Sequence, residues 1–382
     1  MKVLKVVGLL TLFFISVIFY CEWIIYYQAV LRCHWPKLKH AGDEATDGLR
    51  ALILSDPHIL GNSGHWMDRL RREWQMGRSF QTAVFLLEPE VVFILGDLLH
   101  HGYHDNQQQW QHDISRFHQI FRCPGNTELI VVPGNHDVGY YYQLTAEKLQ
   151  RFQSVFNHSA LISRRGVNFV LVTSMALDGD CSACSEQQAN LNSISLLLNC
   201  STQTRRRRSF CRHMTPVPPS APIILQHFPL YRHSDSVCVG QNSSHHRHLV
   251  FRERYDTLSQ DASQKLLWWF KPRLLLSGHT HRSCLVVHGN REGKGHPEVS
   301  VPSFNWRNRN DPSFLLAVFS SSLYQLSECF LPEESTVIWV YCSAALLAGI
   351  GTAAAYTTCM PTHTHTHTHT HTHRNDDAQC VN

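Results

Sequence analysis

Five short segments of the chain carry aspartate, asparagine or histidine at spacings suited to binding metal ions. Each follows a short apolar run that predicts a buried strand, and the candidate ligands in chain order are Asp56, His58, Asp97, Asn135, His227, His279 and His281. Seven oxygen and nitrogen ligands are enough to hold two divalent metal ions. Two adjacent metal ions activate water and stabilise charge on a phosphoryl group. The pattern therefore predicts the hydrolysis of a phosphate ester.

The local spacing of these residues fits metal coordination. Asp56 and His58 are two positions apart, as are His279 and His281, and an extended backbone places the side chains of residues i and i+2 on one side. The carboxylate of Asp97 has two oxygens and can bridge two cations. Imidazole ligands mixed with oxygen ligands suit Mn, Fe or Zn better than Ca.

His136 stands beside a candidate ligand in the segment Gly134–Asn135–His136–Asp137. If the chain is extended there, the His136 ring points away from the side chain of Asn135. That orientation fits a general acid, or a residue that contacts the metal ligands without binding a metal ion itself. Asp137 is a candidate to orient the ring of His136 through one of its nitrogens.

The elements that must position these residues alternate between strands and helices. Continuous apolar runs predict buried strands at 50–55, 90–95, 128–132, 168–174, 221–225 and 273–276. Apolar residues at intervals of three and four predict helices at 66–87, 106–122, 145–156 and 259–270. The polar segments 181–219 and 234–248 are predicted to be surface loops. Because α/β proteins bind ligands where loops leave the carboxyl ends of strands, we expect the metal site at one sheet edge.

Composition narrows the class of protein. The formal net charge of +4 is too small to indicate a nucleic-acid partner. Thirteen cysteines in 382 residues permit a few disulfides if the domain lies in an oxidising compartment. Cys181 and Cys184 form a CxxC pair, but there is no second CxxC to complete a zinc site. A loop disulfide and a pair of free thiols both remain open for these two cysteines.

Two apolar segments predict membrane spans. Val6–Tyr27 has 22 residues, about 33 Å as a helix, and lacks the small-residue pattern of a signal-peptide cleavage site. Thr336–Met360 contains no charged residue. We expect a membrane-embedded protein with residues 1–47 as N-terminus, span and stalk, 48–332 as the enzyme domain, 333–360 as the second span and 361–382 as a tail.

Three glycosylation sequons lie between the two spans, at Asn157, Asn199 and Asn242. Sequons mark surface loops of domains in the secretory pathway, so the central domain is predicted to be lumenal. The tail contains six Thr–His pairs over Thr362–His373. This repeat is typical of a translated dinucleotide tract, and we interpret it as a gene-model artefact that has no part in the fold.

The ordered set Asp-x-His, Gly-Asp, Gly-Asn-His-Asp, His and Gly-His-x-His resembles the calcineurin-like metallophosphoesterase superfamily over residues 48–332. The resemblance implies an α/β fold, a four-layer α/β/β/α sandwich of two mixed sheets. It implies two divalent metal ions, with Mn²⁺ expected and Fe or Zn as alternatives. One ion would be held by Asp56, His58, Asp97 and His281, and the other by Asp97, Asn135, His227 and His279. His136 would be the general acid.

The two spans, together with Gln226–Tyr231 and Val301–Asn310, resemble one branch of the superfamily. Members of that branch remove a side-chain ethanolamine phosphate from the second mannose of glycosylphosphatidylinositol (GPI) anchors. The resemblance implies GPI-anchored proteins as substrates and cargo-export receptors as further partners. It also implies a location at endoplasmic reticulum exit sites, the intermediate compartment and the cis-Golgi. The alternative is a lumenal lipid or nucleotide phosphodiesterase of the same superfamily.

Several residues near the metal motifs have two open interpretations. Arg307 and Arg309 are candidates to contact a second phosphate, and Trp306 is a candidate to pack on a sugar ring, but all three could equally be structural. His100 and His101 stand where many members of the superfamily have Asp or Gly. They face the substrate or lie on a loop, and the sequence does not decide between these alternatives.

Overall fold

Two β-sheets form the centre of the computed structural model, which describes residues 2–38, 48–61, 64–157, 159–202, 211, 214–239, 248–289 and 295–359. Within them the strands are β1 (Leu49–Leu54), β2 (Val91–Leu95), β3 (Glu128–Val132), β4 (Leu161–Arg164), β5 (Val167–Val172), β6 (Ile223–Gln226), β7 (Leu274–Ser277), β8 (Cys284–His288), β9 (His296–Ser300), β10 (Ser313–Phe319) and β11 (Tyr324–Phe330). The Thr–His repeat and the sequon at Asn242 lie outside the described residues.

Helices surround the sheets and extend from both ends. They are α1 (Lys2–Phe19), α2 (Ile25–Leu31), α3 (Trp66–Leu87), α4 (Gln107–Ile120), α5 (Asn135–Val138), α6 (Ala146–Val155), α7 (Ser182–Thr202), α8 (Gln260–Phe270) and α9 (Glu334–Cys359). The hydroxyl of Ser259 caps α8 by accepting the backbone N–H of Ala262, and Lys271 ends it in a left-handed conformation. The predicted helices at 66–87, 106–122, 145–156 and 259–270 are confirmed to within two residues.

Both sheets are mixed, as the family resemblance implies. The first has the order β11–β10–β1–β2–β3, in which β1, β2 and β3 are parallel and β10 is antiparallel to β1. The second has the order β4–β5–β6–β7–β9–β8, in which β5, β6, β7 and β9 are parallel. Strands β4 and β8 to β11 were not predicted, and β10 and β11 close one side of the first sheet as an antiparallel pair.

Alternating residues of the central strands serve two cores. Ala51 and Ile53 belong to a core between the sheets, where the rings of Phe93 and Phe169 lie 4.9 Å apart. Intervening residues such as Leu52 belong to the core formed with the outer helices. Because both faces of β1 are buried, its sequence is a continuous apolar run and not an alternating one.

One predicted loop is a helix for more than half of its length. The segment 181–219 was predicted to be irregular, but α7 occupies Ser182–Thr202. The error has a physical cause, because the helix is rich in serine, asparagine and glutamine and has no strong amphipathic pattern. Only a few apolar side chains, including Leu191 and Leu198, pack against the domain core. Burial of these residues stabilises a helix that the local composition does not favour.

The two terminal helical segments are long and apolar enough to cross a membrane, over Lys5–Leu31 and Glu334–Ala354. A π-helical turn at Tyr20–Ile24 connects α1 to α2. Within it the carboxylate of Glu22 accepts a hydrogen bond from the hydroxyl of Tyr341 in α9. The two segments therefore contact each other through a half-buried polar pair as well as through apolar side chains.

Four disulfides occur among the described residues. They are Cys33–Cys329, Cys181–Cys184, Cys200–Cys211 and Cys238–Cys284. The CxxC pair is therefore a disulfide and not a pair of free thiols. The first disulfide joins the segment after α2 to β11 across 296 residues and so fixes the first terminal helix to the domain.

Candidate metal centre

The predicted ligands follow the carboxyl ends of five parallel strands. Strands β1, β2 and β3 of the first sheet lead into Asp56 and His58, into Asp97 and into Asn135. Strands β6 and β7 of the second sheet lead into His227 and into the His279–His281 segment. The site is thus shared between the two sheets, whereas the strand pattern alone led us to expect the edge of one sheet.

One group of ligand atoms surrounds Asp56. Its Oδ1 lies 3.4 Å from Nε2 of His281 and 3.9 Å from Nε2 of His58. The two imidazole Nε2 atoms are 3.3 Å apart, and Nε2 of His58 is 3.5 Å from Oδ2 of Asp97. These four residues are the set that the family resemblance assigns to the first metal ion.

A second group of ligand atoms surrounds His227. Its Nε2 lies 3.2 Å from Oδ2 of Asp97 and 3.1 Å from Oδ1 of Asn135. Nδ1 of His279 is 3.3 Å from the same nitrogen. Oδ2 of Asp97 therefore borders both groups, and the Asp97 carboxylate would be able to contribute to both metal positions.

These groups fit a pair of metal ions. Two ligand atoms that each lie roughly 2.0–2.2 Å from one ion stand about 3 Å apart, close to the separations found here. Asp56 is fully buried, and its Oδ1 has no hydrogen-bond partner among the described residues. A buried carboxylate oxygen without a partner is costly unless a cation binds it. The residues present thus match two divalent ions in number, type and position.

Hydrogen bonds on the far side of the rings set the nitrogen that faces the centre. Nδ1 of His227 donates to the carbonyl of Leu95 at 2.6 Å, which leaves Nε2 free to bind a metal. Nε2 of His279 donates to the carbonyl of Tyr255 at 2.8 Å, which leaves Nδ1 free. Such outer hydrogen bonds fix the tautomer and raise the basicity of a histidine ligand.

The electrostatics keep Asp97, His58 and His279 in the forms that bind cations, whereas His227 carries a proton when no cation is bound. Burial raises the pKa of Asp97, but the charges of His227 and His136 outweigh it and hold that pKa well below its usual range. Burial lowers the pKa of His58 well below normal and that of His279 to about 4. Burial also acts to lower the pKa of His227, but the Asp97 carboxylate outweighs it and raises the value to about 9. A cation bound at Nε2 of His227 would replace that proton.

Backbone strain is concentrated at the site. Nine non-glycine residues in the described part of the chain have positive φ, and five of them are candidate ligands: Asp56, His58, Asp97, His279 and His281. Each costs roughly 1–3 kcal/mol relative to a relaxed backbone. The sequence alone does not locate this strain, because left-handed backbone is uncommon for any residue other than glycine, although aspartate and histidine adopt it more often than most.

Gly96 allows the two sheets to approach at the centre. Its φ is +89°, and a Cβ there would lie 2.6 Å from Nδ1 of His227. We expect Gly96→Ala to displace His227 and to lower both the metal content and the thermal stability of the protein. Gly125→Ala is the matched control, because a Cβ at Gly125 meets nothing within 4 Å. Normal metal content in Gly96→Ala would contradict this account of the close approach.

His136 lies at the edge of the first group of ligands. Its ring is 4.7 Å from that of His58, and its Nδ1 donates to the carbonyl of His100 at 2.6 Å. Its backbone N–H donates to Oδ1 of Asp97. The expectation that Asp137 orients this ring is wrong, because the Asp137 carboxylate accepts the backbone N–H groups of Leu98, Leu99 and Gly134. Asp137 holds the loops together, and the carbonyl of His100 orients the ring.

The two arginines that were candidates for phosphate binding have different surroundings in the structure. Arg309 is paired with Asp311 at 2.9 Å and donates to the carbonyl of His281, so it supports a metal loop. Arg307 has a buried Nη1 without a hydrogen-bond partner among the described residues. Burial, with the charge of Arg307 as the next cause, lowers the pKa of His100 to about 3.

Trp306 is 5 % exposed, donates from Nε1 to the carbonyl of Pro332 and packs against the terminal helices. His101 is exposed beside His100, whose ring stacks on that of His136. The sequon residues Asn157 and Asn199 are both exposed. Sequence reasoning missed the carbonyls of Leu95, His100 and Tyr255, since backbone acceptors leave no mark in residue types.

Comparison with known proteins agrees with the geometry. The model of the calcineurin-like phosphoesterase family matches residues 49–283, and the chain belongs to this family. It is 51% identical over 345 residues to "Metallophosphoesterase 1" of Danio rerio, and the alignment covers 89% of each chain. It is 47% identical over 364 residues to the Gallus gallus protein of that name, and this alignment covers 92% of this chain and 90% of the other. Among solved structures, a dimetal phosphatase from Danio rerio aligns with a TM-score of 0.45 and 10% identity, covering 74% of this chain and 96% of that one. The chain is a metal-dependent phosphoesterase.

Proposed function

We propose that this enzyme removes a side-chain ethanolamine phosphate from the second mannose of GPI anchors. The observation that carries the proposal is the resemblance of Gln226–Tyr231 and Val301–Asn310 to that branch of the family, in a chain with an apolar helix on either side of the domain. In the structure the second segment lies between the metal centre and these helices, since Asn305 donates to the carbonyl of Pro57 and Trp306 packs on the first helical segment.

The residues of the centre would divide the chemistry among them. Two divalent ions, Mn²⁺ by expectation, would supply Lewis-acid activation of water and of the phosphoryl group. Asp97 would hold the ions together, and the buried imidazoles would exclude bulk water from one side. His136, half-buried at the rim, would give a proton to the sugar oxygen as it leaves phosphorus.

The proposed location follows from the same set of features. Both apolar segments would span the membrane, with the domain in the lumen of endoplasmic reticulum exit sites, the intermediate compartment and the cis-Golgi. Exposed Asn157 and Asn199 and four disulfides support an oxidising compartment. There the enzyme would act on GPI-anchored proteins, promote their export and meet cargo-export receptors.

Arg307 is the residue we expect to contact a further phosphate of the substrate. A charge-assisted hydrogen bond contributes about 1.5–3 kcal/mol, so Arg307→Ala is expected to raise KM on a GPI glycan by roughly 10- to 100-fold. The KM for bis(p-nitrophenyl) phosphate, which has one phosphate, should change little. Arg122→Ala, an exposed arginine at the opposite end of β3, is the control. Equal losses on both substrates would remove this role from Arg307.

Mass analysis of GPI anchors tests the proposed function. Cells lacking the protein should retain ethanolamine phosphate on the second mannose, and the wild-type chain, but not Asp97→Asn, should restore its removal. In parallel, the purified protein should be assayed on a GPI glycan, a nucleotide diester and sphingomyelin. Preferred hydrolysis of either of the last two would favour a lumenal lipid or nucleotide phosphodiesterase.

A further inference from the structure

A large apolar groove lies between the domain and the two terminal helical segments. Its volume is about 840 Å³, within the range of sites that bind small molecules. Three elements form most of its walls: the junction of α1 with the π-helical turn Tyr20–Ile24, the first turns of α3 and the first turns of α9. None of the metal ligands lines this groove, so it is separate from the site described above.

The side chains that line the groove are mostly apolar, and several of them are exposed. Ile18 is 47% exposed, Leu70 is 60% exposed and Ile338 is 45% exposed, although they come from three different helices. Apolar side chains gathered at this exposure indicate a surface that contacts lipid or a ligand. Because Ile18 and Ile338 belong to the two candidate spans, these walls of the groove would face lipid in a membrane.

One end of the groove is polar. There the guanidinium of Arg71 lies 2.7 Å from the carboxylate of Glu334 and 3.4 Å from that of Asp68. Trp23 and Trp74 stand nearby, each 4.5 Å from the guanidinium of Arg78. Tryptophan is enriched where a protein crosses from lipid to water. Most of the groove is therefore apolar, and the charged side chains at its rim pair with one another. This arrangement suits a hydrocarbon chain that ends at the membrane surface.

The groove also adjoins the metal centre through one short segment. Trp306 lines the groove, and the next residue, Arg307, is close enough to His100 and His101 for its charge to act on both rings. Asn305 donates to the carbonyl of Pro57, between the ligands Asp56 and His58. A molecule with its tail in the groove would thus present its head group on the side of the metal centre.

We propose that this groove binds an acyl chain of the lipid-linked substrate and so fixes the distance of its glycan from the metal centre. The inference rests on the proposed function for the identity of the lipid. The apolar walls shared by two candidate spans, the paired rim and the link through Trp306 and Arg307 each favour a membrane-anchored hydrocarbon chain over a soluble ligand. A second copy of the chain is the alternative occupant, which loss of a dimer in the filled variants would reveal.

Filling the groove tests the inference. Ile338→Trp and Leu70→Trp place a larger ring in it, whereas Leu346→Trp on α9 and Phe85→Trp on α3 are matched controls, since Leu346 and Phe85 are exposed at 66% and 70% and do not line it. Full-length protein in detergent is titrated with synthetic diacyl glucosaminyl-phosphatidylinositol and followed by native mass spectrometry. The wild type and controls should bind one molecule. The filled variants should bind about tenfold more weakly, the loss expected from roughly two methylene contacts.

Kinetics distinguish a lipid site from a damaged enzyme. On an acylated GPI glycan the filled variants should lose kcat/KM by about tenfold, mainly through KM, while a deacylated glycan and bis(p-nitrophenyl) phosphate should be hydrolysed at the wild-type rate. Equal binding and equal kinetics of filled and control variants would overturn the inference, as would a dimer that the filled variants abolish. If the wild type hydrolysed neither glycan, the proposed function would fail, and the binding titration would still decide whether the groove takes the lipid.

Discussion

Asp97→Asn is expected to lower hydrolysis of bis(p-nitrophenyl) phosphate by about 10³-fold or more, because it disables both metal positions together. Oδ2 of Asp97 lies 3.5 Å from Nε2 of His58 and 3.2 Å from Nε2 of His227, one imidazole from each group of ligands. Asparagine keeps the shape of the side chain but has no charge and only one oxygen. It cannot hold two cations at the buried boundary between the sheets.

Metal analysis by plasma mass spectrometry measures this effect directly. The wild type should retain two equivalents of metal per chain, and Asp97→Asn one or fewer. Asp261→Asn is the control, because this carboxylate is exposed on α8 and its loss should leave metal content and rate unchanged. An Asp97→Asn protein with two metals and a normal rate would show that the carboxylate does not bridge.

His136→Ala is expected to reduce kcat by roughly 10²- to 10⁴-fold on a substrate whose leaving group is a sugar alcohol. The ring stands at the rim with Nδ1 bonded to the carbonyl of His100, so removing it leaves the ligand atoms in place. Metal content and thermal stability should stay near those of the wild type. The loss would then belong to proton transfer and not to metal binding.

Substrates with different leaving groups distinguish a general acid from a structural role for His136. p-Nitrophenolate leaves without protonation, so His136→Ala should affect bis(p-nitrophenyl) phosphate far less than the glycan substrate. His112→Ala, an exposed imidazole on α4, should affect neither. If both substrates lost the same factor, or if metal were lost, His136 would be a support for the metal site and not the acid.

The sequence was sufficient to predict where the candidate ligands gather because each follows a strand that is buried on both faces. Such a strand is recognisable as an apolar run, and the polar residue after it lies at the carboxyl end by necessity. Asp97 after Val91–Leu95 and Asn135 after Glu128–Val132 are both of this kind. The mixed character of the two sheets and the match to the family confirmed the expected fold and the phosphoesterase class.

Features that depend on distant contacts were not predictable. The acceptor for His279 is a backbone carbonyl at Tyr255, and the carbonyl of His281, whose backbone is left-handed, accepts from Ser303 and Arg309. Helix α7 has too weak a pattern to be recognised, because its stability comes from packing. Trp306 and Arg309 could be separated from Arg307 only after their partners in the fold were known.

Anomalous X-ray scattering from crystals grown with Mn²⁺ tests the central claim most directly. The account predicts two peaks about 3.5–4 Å apart on either side of the Asp97 carboxylate. One should be bounded by His58 and His281, and the other by His227 and His279. A single peak, or peaks away from Asp97, would contradict the dinuclear centre on which the proposed chemistry depends.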